Sequence, residues 1–246
     1  MSIQVLTYNI WGWGRDLPSS HFDRLGGFIA DSGADLVFLA EVKAGAGQTE
    51  RLARAGGYPF WIEIPSYPHH HSALALGLLA RLPVETAEAF PIYRTPDGWH
   101  MALRACLRPP GSPRPWTFYG VHLWNMDQIT MSVWRMARAE MLEHNPRLHQ
   151  IRHLLLDIAS RKEPVVVAGD FNTFPFSAAY RAMGKRFRDA CPLHLTFRGT
   201  YRHRGLRPRL DYIWLLPNLA ASEYAVCDPG LSDHAAVTVR LNDTAQ

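Results

Sequence analysis

The stretch "VVVAGDFNTFP", Val165 to Pro175, decides how the rest of the chain is read. Val165, Val166, Val167 and Ala168 form a short apolar run behind the breaker Pro164, which is the pattern of a fully buried strand. Gly169 lets the backbone turn, or lets another group approach it closely. The run then ends in Asp170 and Asn172, alternate residues that an extended chain directs to one face. Packing does not call for an acid where a buried strand leaves its sheet. Holding a cation or orienting a water does.

Other apolar runs end the same way. "IQVLTYNIW" reads as a strand ending at Asn9, and "ADLVFLAEV" as one ending at Glu41. "WTFYGVHLW" carries His122, "RLDYIWLL" carries Asp211, and "HAAVTVRL" follows Asp233 and opens on His234. Asp211 resists a packing explanation, because an unpaired acid inside an apolar run is costly to bury. If these strands lie side by side, their polar ends converge on one edge. The inventory is then hard oxygen donors and two imidazoles without a thiolate, which suits Mg²⁺, with Mn²⁺ as a substitute, rather than zinc.

Between these runs, "HFDRLGGFIADSG" places Phe22, Leu25 and Ile29 at helical spacing, with Gly33 at the stop. "YPFWIEIP", "SALALGLLARLPVE" and "MALRACL" are strand-like. Residues from Gln128 to about Ser160 read as helix with a break near Pro146, and "SAAYRAMGKRF" as a short helix. Strands outnumber helices and several are closely connected, which argues for a mixed α/β sandwich. No linker, repeat or low-complexity block divides the 246 residues, so one domain over 1–246 is expected. Hydrophobic residues make up 47 % of the chain, enough for a sizeable core, yet no run approaches a membrane span. The N-terminus lacks a signal-like segment. Cys106, Cys191 and Cys227 are few and widely spaced, so a reducing, cytoplasmic setting is expected. Nothing points to a protein partner.

Taken together, the blocks "TYNIW", "FLAEV", "GVHLWN", "GDFNTFP", "RLDYIW" and "SDHAAV" resemble, in order, those of the endonuclease/exonuclease/phosphatase superfamily of exonuclease III, deoxyribonuclease I and inositol phosphatases. The resemblance implies a four-layer α/β/β/α sandwich of two packed mixed sheets flanked by helices, with divalent-metal-dependent cleavage of phosphoesters at one sheet edge. It implies Glu41 as main metal ligand, with Asn9 beside it and Asp233 close to the metal. Asp170 resembles the acid that orients or deprotonates the attacking water, and Asn172 the amide that holds that water or a phosphate oxygen. His234 resembles the essential histidine on the phosphate, and Asp211 the acid that hydrogen-bonds it. His122 falls where nucleases and sphingomyelinases of the family carry a histidine, Asn125 follows at the family's spacing, and Glu63 resembles the glutamate that pairs with that histidine. Ala40 departs from the Gln that often precedes the metal glutamate.

Substrate class rests on other features. Nine Arg/Lys residues and one acid lie between Arg181 and Arg209, a segment charge of +8 in a chain of net +4. Such local charge suits a polyanion, with Arg202, Arg204 and Arg207 in the loop ahead of Asp211 as phosphate contacts. Trp11 and Trp124, two residues after Asn9 and His122, stand where a base could stack. The leading expectation is therefore a Mg²⁺-dependent nuclease or phosphodiesterase acting on nucleic acid. The alternative is a phosphatase or sphingomyelinase-like phosphodiesterase acting on a small phosphorylated molecule or lipid headgroup. A catalytically dead binding module is disfavoured, since every expected position is filled. The triplet His69 to His71 reads as a loop near the site mouth, because adjacent strand residues face opposite ways.

Overall fold

The computed structural model describes residues 2–12, 17–68, 73–95, 98–125, 145–202 and 205–244. One sheet holds β1 (Ser2–Asn9), β2 (Leu36–Lys43), β3 (Phe60–Pro68), β4 (Ala73–Ala80), β11 (Leu219–Cys227) and β12 (Ala236–Asp243), in the order β11-β12-β1-β2-β4-β3. The other holds β5 (Val84–Thr95), β6 (Gly98–Leu107), β7 (Trp116–His122), β8 (Val165–Asp170), β9 (Arg188–Asp189) and β10 (Asp211–Leu215), in the order β5-β6-β7-β8-β10-β9. Val5, Phe38 and Leu78 of the first sheet interlock with Leu103, Phe118, Val166 and Ile213 of the second in one buried core. Helices α1 (Ser19–Asp31) and α2 (Gln48–Gly56) cover the outer face of the first sheet through Leu25, Ile29 and Leu52. Helices α3 (Pro146–Ala159) and α4 (Ala178–Gly184) cover that of the second through Ile151, Leu154 and Met183. The architecture is the expected α/β/β/α sandwich, and it explains why the central strands read as unbroken apolar runs: both faces of each are covered.

The direction of the strands gathers the polar ends. β1 and β2 run parallel, joined through α1, and so do β7 and β8. Their C-terminal residues Asn9, Glu41, His122 and Asp170 therefore leave at the same edge, with His122 paired to Asp170 in register. β10 runs antiparallel to β8 and starts there, so Asp211 lies opposite Asp170. β12 runs antiparallel to β1, which brings the residues before its start, Asp233 and His234, to the same place. Four strands end at this edge and two begin there.

The break near Pro146 is a helix start: Asn145 caps α3, its side chain accepting from the Arg147 N–H, and proline occupies the first turn, where no N–H is needed. The preceding stretch from Gln128, with Met131, Met136 and Met141, lies outside the described residues, as do Trp13 and His69 to His71. Helix α2 and strand β11 went unread for physical reasons. "QTERLARAG" is polar over most of its surface, and "LAASEYAVC" is an alanine-rich strand broken by a bulge between Ser222 and Ala225.

Candidate active site

The two sheets meet at this edge through one carboxylate oxygen. Asp170 Oδ2 accepts from Asn9 Nδ2 at 3.0 Å and lies 3.7 Å from His234 Nε2 and 3.9 Å from His122 Nε2. Its other oxygen accepts the backbone N–H of Asn172 at 2.8 Å. Asn9 gives a second bond to Glu41 Oε1 at 3.0 Å, and its own oxygen takes the Trp11 N–H at 3.1 Å. His234 turns Nδ1 to Asp211 Oδ2 at 2.9 Å, which leaves Nε2 directed at Asp170. Ser232 ties the far side together: its hydroxyl donates to the Asn9 carbonyl, accepts the His234 N–H and lies 3.1 Å from Asp233 Oδ1.

The backbone here is unusual. Among the described residues, the non-glycines with positive φ are Trp11, Glu41, Asn172, Phe176 and Glu223, and four of them fall on Asn9–Glu41 or on the loop after Asp170. Conformations of this kind cost on the order of 1–3 kcal/mol each and persist where the surroundings over-determine them. Gly169, φ +147°, is needed for close approach: a Cβ there would collide with the Val121 carbonyl of β7. That contact holds β7 against β8 one residue before the His122–Asp170 pair.

Burial sets the charges. Burial first, and then the charge of Asp211, push Asp170 up to about 6, against the pull of His234 and His122. Burial alone would lower His234, yet Asp211 and Asp170 overcome it and push the imidazole up to about 10. Asp233 is raised, first by burial and further by Glu41 nearby. Two groups present ligand atoms within 4.8 Å of one another: Glu41, His122 and Asp170, and Asp170, Asp211 and His234. In the first, the Glu41 carboxylate suits a divalent ion, and His122 Nε2, 3.6 Å from Glu41 Oε1, is buried without a hydrogen-bond partner.

Not every expected residue arrives. Glu63 does not pair with His122: its two oxygens accept from Gly45 N and Thr49 Oγ1, so it braces the loop ahead of α2. Asn9 donates to two carboxylates and turns its amide oxygen to the Trp11 backbone N–H. Asp233 sits beside the site but outside both ligand groups. Asn172 directs its side-chain amide to the Leu123 carbonyl, linking the loops after β7 and β8. Asn125 is exposed at the loop end. Trp124 packs on His100 and Tyr93 and gives its N–H to Gln150.

The basic loop is largely engaged by its own chain. Arg202 donates to both oxygens of Asp228 and to the Ser232 carbonyl, and Arg207 stands 3.9 Å from Asp228. Arg209 is buried against Asp189 and over the Tyr212 ring. Arg204 lies outside the described residues. Ala40 is part of the inter-sheet core.

Three residues that sequence reading passed over belong to the site or hold it. Tyr201 forms a backbone bridge to His234 and lays its ring 4.7 Å from the imidazole. Arg147, buried in the first turn of α3, donates to the Asn172 carbonyl. Gln150, one turn on, accepts the Trp124 backbone N–H, so one face of α3 braces the loops after β7 and β8. The only sequence signal for this pair was the Asn-Pro cap before them.

No curated protein matches this chain. Solved structures do match its fold. A functionally unknown conserved protein from Enterococcus faecalis V583 is 16 % identical, with TM-score 0.78, over 98 % of this chain and 100 % of that one. The human Nocturnin catalytic domain with bound sulfate anion is 19 % identical, with TM-score 0.73, over 99 % and 94 %. The mannosyl-6-phosphatase of Bacteroides thetaiotaomicron VPI-5482 is 14 % identical, with TM-score 0.73, over 98 % and 99 %. At such identities the likeness establishes the fold. The sequence pattern of the Endonuclease/Exonuclease/phosphatase family matches residues 6–234, from the middle of β1 to the site histidine, and on that match the chain belongs to this family of phosphoester hydrolases.

Proposed function

We propose that the protein is a Mg²⁺-dependent phosphodiesterase acting on nucleic acid. The observation that carries the reading is the convergence of His234, His122 and Asn9 on Asp170 Oδ2, with Asp211 behind His234 and Glu41 beside His122. Glu41 would hold the divalent ion, which when bound supplies neutralising charge and Lewis acidity to the phosphate. Asp170 takes a proton from the attacking water. Held near pH 6 by burial, it is ionised at neutral pH yet close enough to it to be an effective base, a contribution of about 10²–10⁴-fold. The Asn172 N–H fixes the carboxylate that does this. His234, kept protonated by Asp211 and Asp170, offers a cationic N–H to a phosphate oxygen. His122 faces the same space with an unengaged Nε2 and suits the opposite side of the phosphorus.

One observation favours the second reading, a phosphatase or sphingomyelinase-like enzyme. Arg202 and Arg209, in the loop that leads into Asp211, are paired with acids of their own chain and leave fewer cations for a polyanion. The test is a substrate panel with Mg²⁺: plasmid DNA, single-stranded DNA, RNA, sphingomyelin, inositol phosphates and a chromogenic diester, with Glu41→Ala as the blank. Turnover of a polynucleotide well above every small phosphoester supports the proposal. Preference for a monoester or lipid headgroup overturns it.

A further inference from the structure

The charge that the sequence concentrates between Arg181 and Arg209 is sorted by the fold into two populations. Arg188, Arg198, Arg202 and Arg209 bond to acids or carbonyls of neighbouring strands and loops. Arg181, Lys185 and Arg186 lie together elsewhere, away from any acid that lines their groove. They project from α4 and its C-terminal turn into a groove of about 400 Å³ whose other wall is α3, which adds Arg152. Its floor is apolar, with Leu148 and Leu155 of α3, and no acid lines it. The acids nearby are engaged: Asp157 by Arg104, Arg161 and Tyr119, and Asp189 by Arg209. Arg152 and Lys185 have no ion-pair partner among the described residues, and Arg186 bonds only the neutral Ile158 carbonyl. Four cations around one acid-free groove form a site for anionic charge, not an ordinary mixed surface.

The helices that wall the groove are both tied to the active edge. The loop 171–177 runs from Asp170 to the cap of α4, where Ser177 accepts the Tyr180 N–H and bonds Thr173. Arg181 reaches back to the Phe176 carbonyl, and Arg147 of α3 to the Asn172 carbonyl. Both walls are thus anchored to the loop that carries Asp170 and Asn172. A groove of about 400 Å³ can take the sugar-phosphate backbone of one strand at a time. The seven residues of α4 span about 10 Å, the reach of about two phosphates of an extended strand.

We propose that the groove between α3 and α4, lined by Arg152, Arg181, Lys185 and Arg186, is the track for the backbone of a single polynucleotide strand extending from the active edge. The inference rests on the nucleic-acid reading of the site and moves the polyanion contact from the loop before Asp211 to the outer helices. The test uses the full chain and the double variant Arg152→Ala/Lys185→Ala, both exposed and neither in the catalytic machinery. Binding of a long single-stranded oligonucleotide is measured against salt, beside turnover of a chromogenic diester and of a dinucleotide. For single strands the slope of log affinity against log salt falls by about 0.7 for each phosphate that is no longer neutralised, so the double variant should give up about 1.4 while both small substrates turn over as in wild type. A wild-type slope in the double variant, with wild-type polynucleotide cleavage, overturns the track and leaves the nuclease reading intact. Loss of diester turnover in the variant also overturns it, since the groove would then act through the site. If the unaltered protein shows no salt-dependent binding to any polynucleotide, the nuclease reading falls and the track with it.

Discussion

Replacing Arg147 with methionine tests whether the site is held from outside. The side chain is buried in the first turn of α3, with Nη1 on the Asn172 carbonyl and Nε on Asn145 Oδ1 at 3.2 Å. Methionine has a similar unbranched reach and good helix propensity but no donor. It leaves the Asn172 carbonyl buried without this partner and weakens the cap at Asn145. An unsatisfied buried acceptor costs about 1–3 kcal/mol, and a weakened cap up to about 1 more, so a stability loss of about 1–4 kcal/mol is expected. That is a large part of the roughly 5–15 kcal/mol a domain commands, but not all of it. The catalytic effect should exceed what stability explains. Asn172 sits at φ +48°, and its N–H fixes Asp170. With the carbonyl released, the turn can relax and carry the carboxylate with it, and a displacement of about 1 Å costs on the order of 10²-fold. The assay is kcat and KM for a chromogenic diester, well below the melting temperature of each variant, beside thermal unfolding. A fall in kcat of about 10²-fold with KM little changed is expected. Arg147→Lys, which restores one donor without the planar fork, should recover part of it. A folded Arg147→Met variant with wild-type kcat would refute the idea that α3 holds the Asp170 loop in place.

Glu41→Ala should abolish turnover with the fold intact, and excess chelator should do the same to the wild type; full activity in chelator would remove the metal from the reaction. Asp170→Asn and His234→Ala should each lower kcat by several orders of magnitude, and the double variant should be scarcely worse than either, because both act in one step; additive losses would separate their roles. Gly169→Ala should destabilise by at least the about 1–3 kcal/mol typical of overpacking, since the new Cβ meets the Val121 carbonyl, and should lower activity by parting His122 from Asp170; a stable, active variant would show that β7 and β8 can separate without consequence. His100 is depressed to about 4, first by burial and then by His122. Between about pH 6.5 and 4 the unfolded chain therefore binds the proton that the folded one refuses, and stability falls as pH falls through that window. His100→Phe should flatten that limb of the unfolding profile, and an unchanged limb would place the acid sensitivity elsewhere.

What the sequence revealed of this molecule, and what it hid, follows from how each residue is positioned. Asn9, Glu41, His122, Asp170, Asp211 and His234 were legible because each stands at the end of an apolar run, where an acid, amide or imidazole has no packing reason to be. The sandwich was legible because strands covered on both faces must be apolar throughout. Glu63 misled because a carboxylate on a strand is equally useful for satisfying backbone N–H groups of an adjacent loop, and only the register of β3 against β4 decides where it points. The arginines were only half legible for a related reason. Charge is visible in sequence, but its partners are not: Arg202 meets Asp228 across 26 positions, Arg209 meets Asp189 across 20, and both contacts depend on strands that pair late in the chain. Arg147 and Gln150 were invisible because a polar pair three apart on a helix is the ordinary signature of a solvent-facing stripe. Here the stripe faces inward, because the helix begins beside the active edge and its first turn finds two loop backbones in need of partners. A buried arginine with a carbonyl in its fork is thus the counterpart of an acid ending a buried strand. Each departs from packing logic, but only the strand acid departs from a pattern that can be read along the chain. The arginine departs from one that exists only once the layers are assembled.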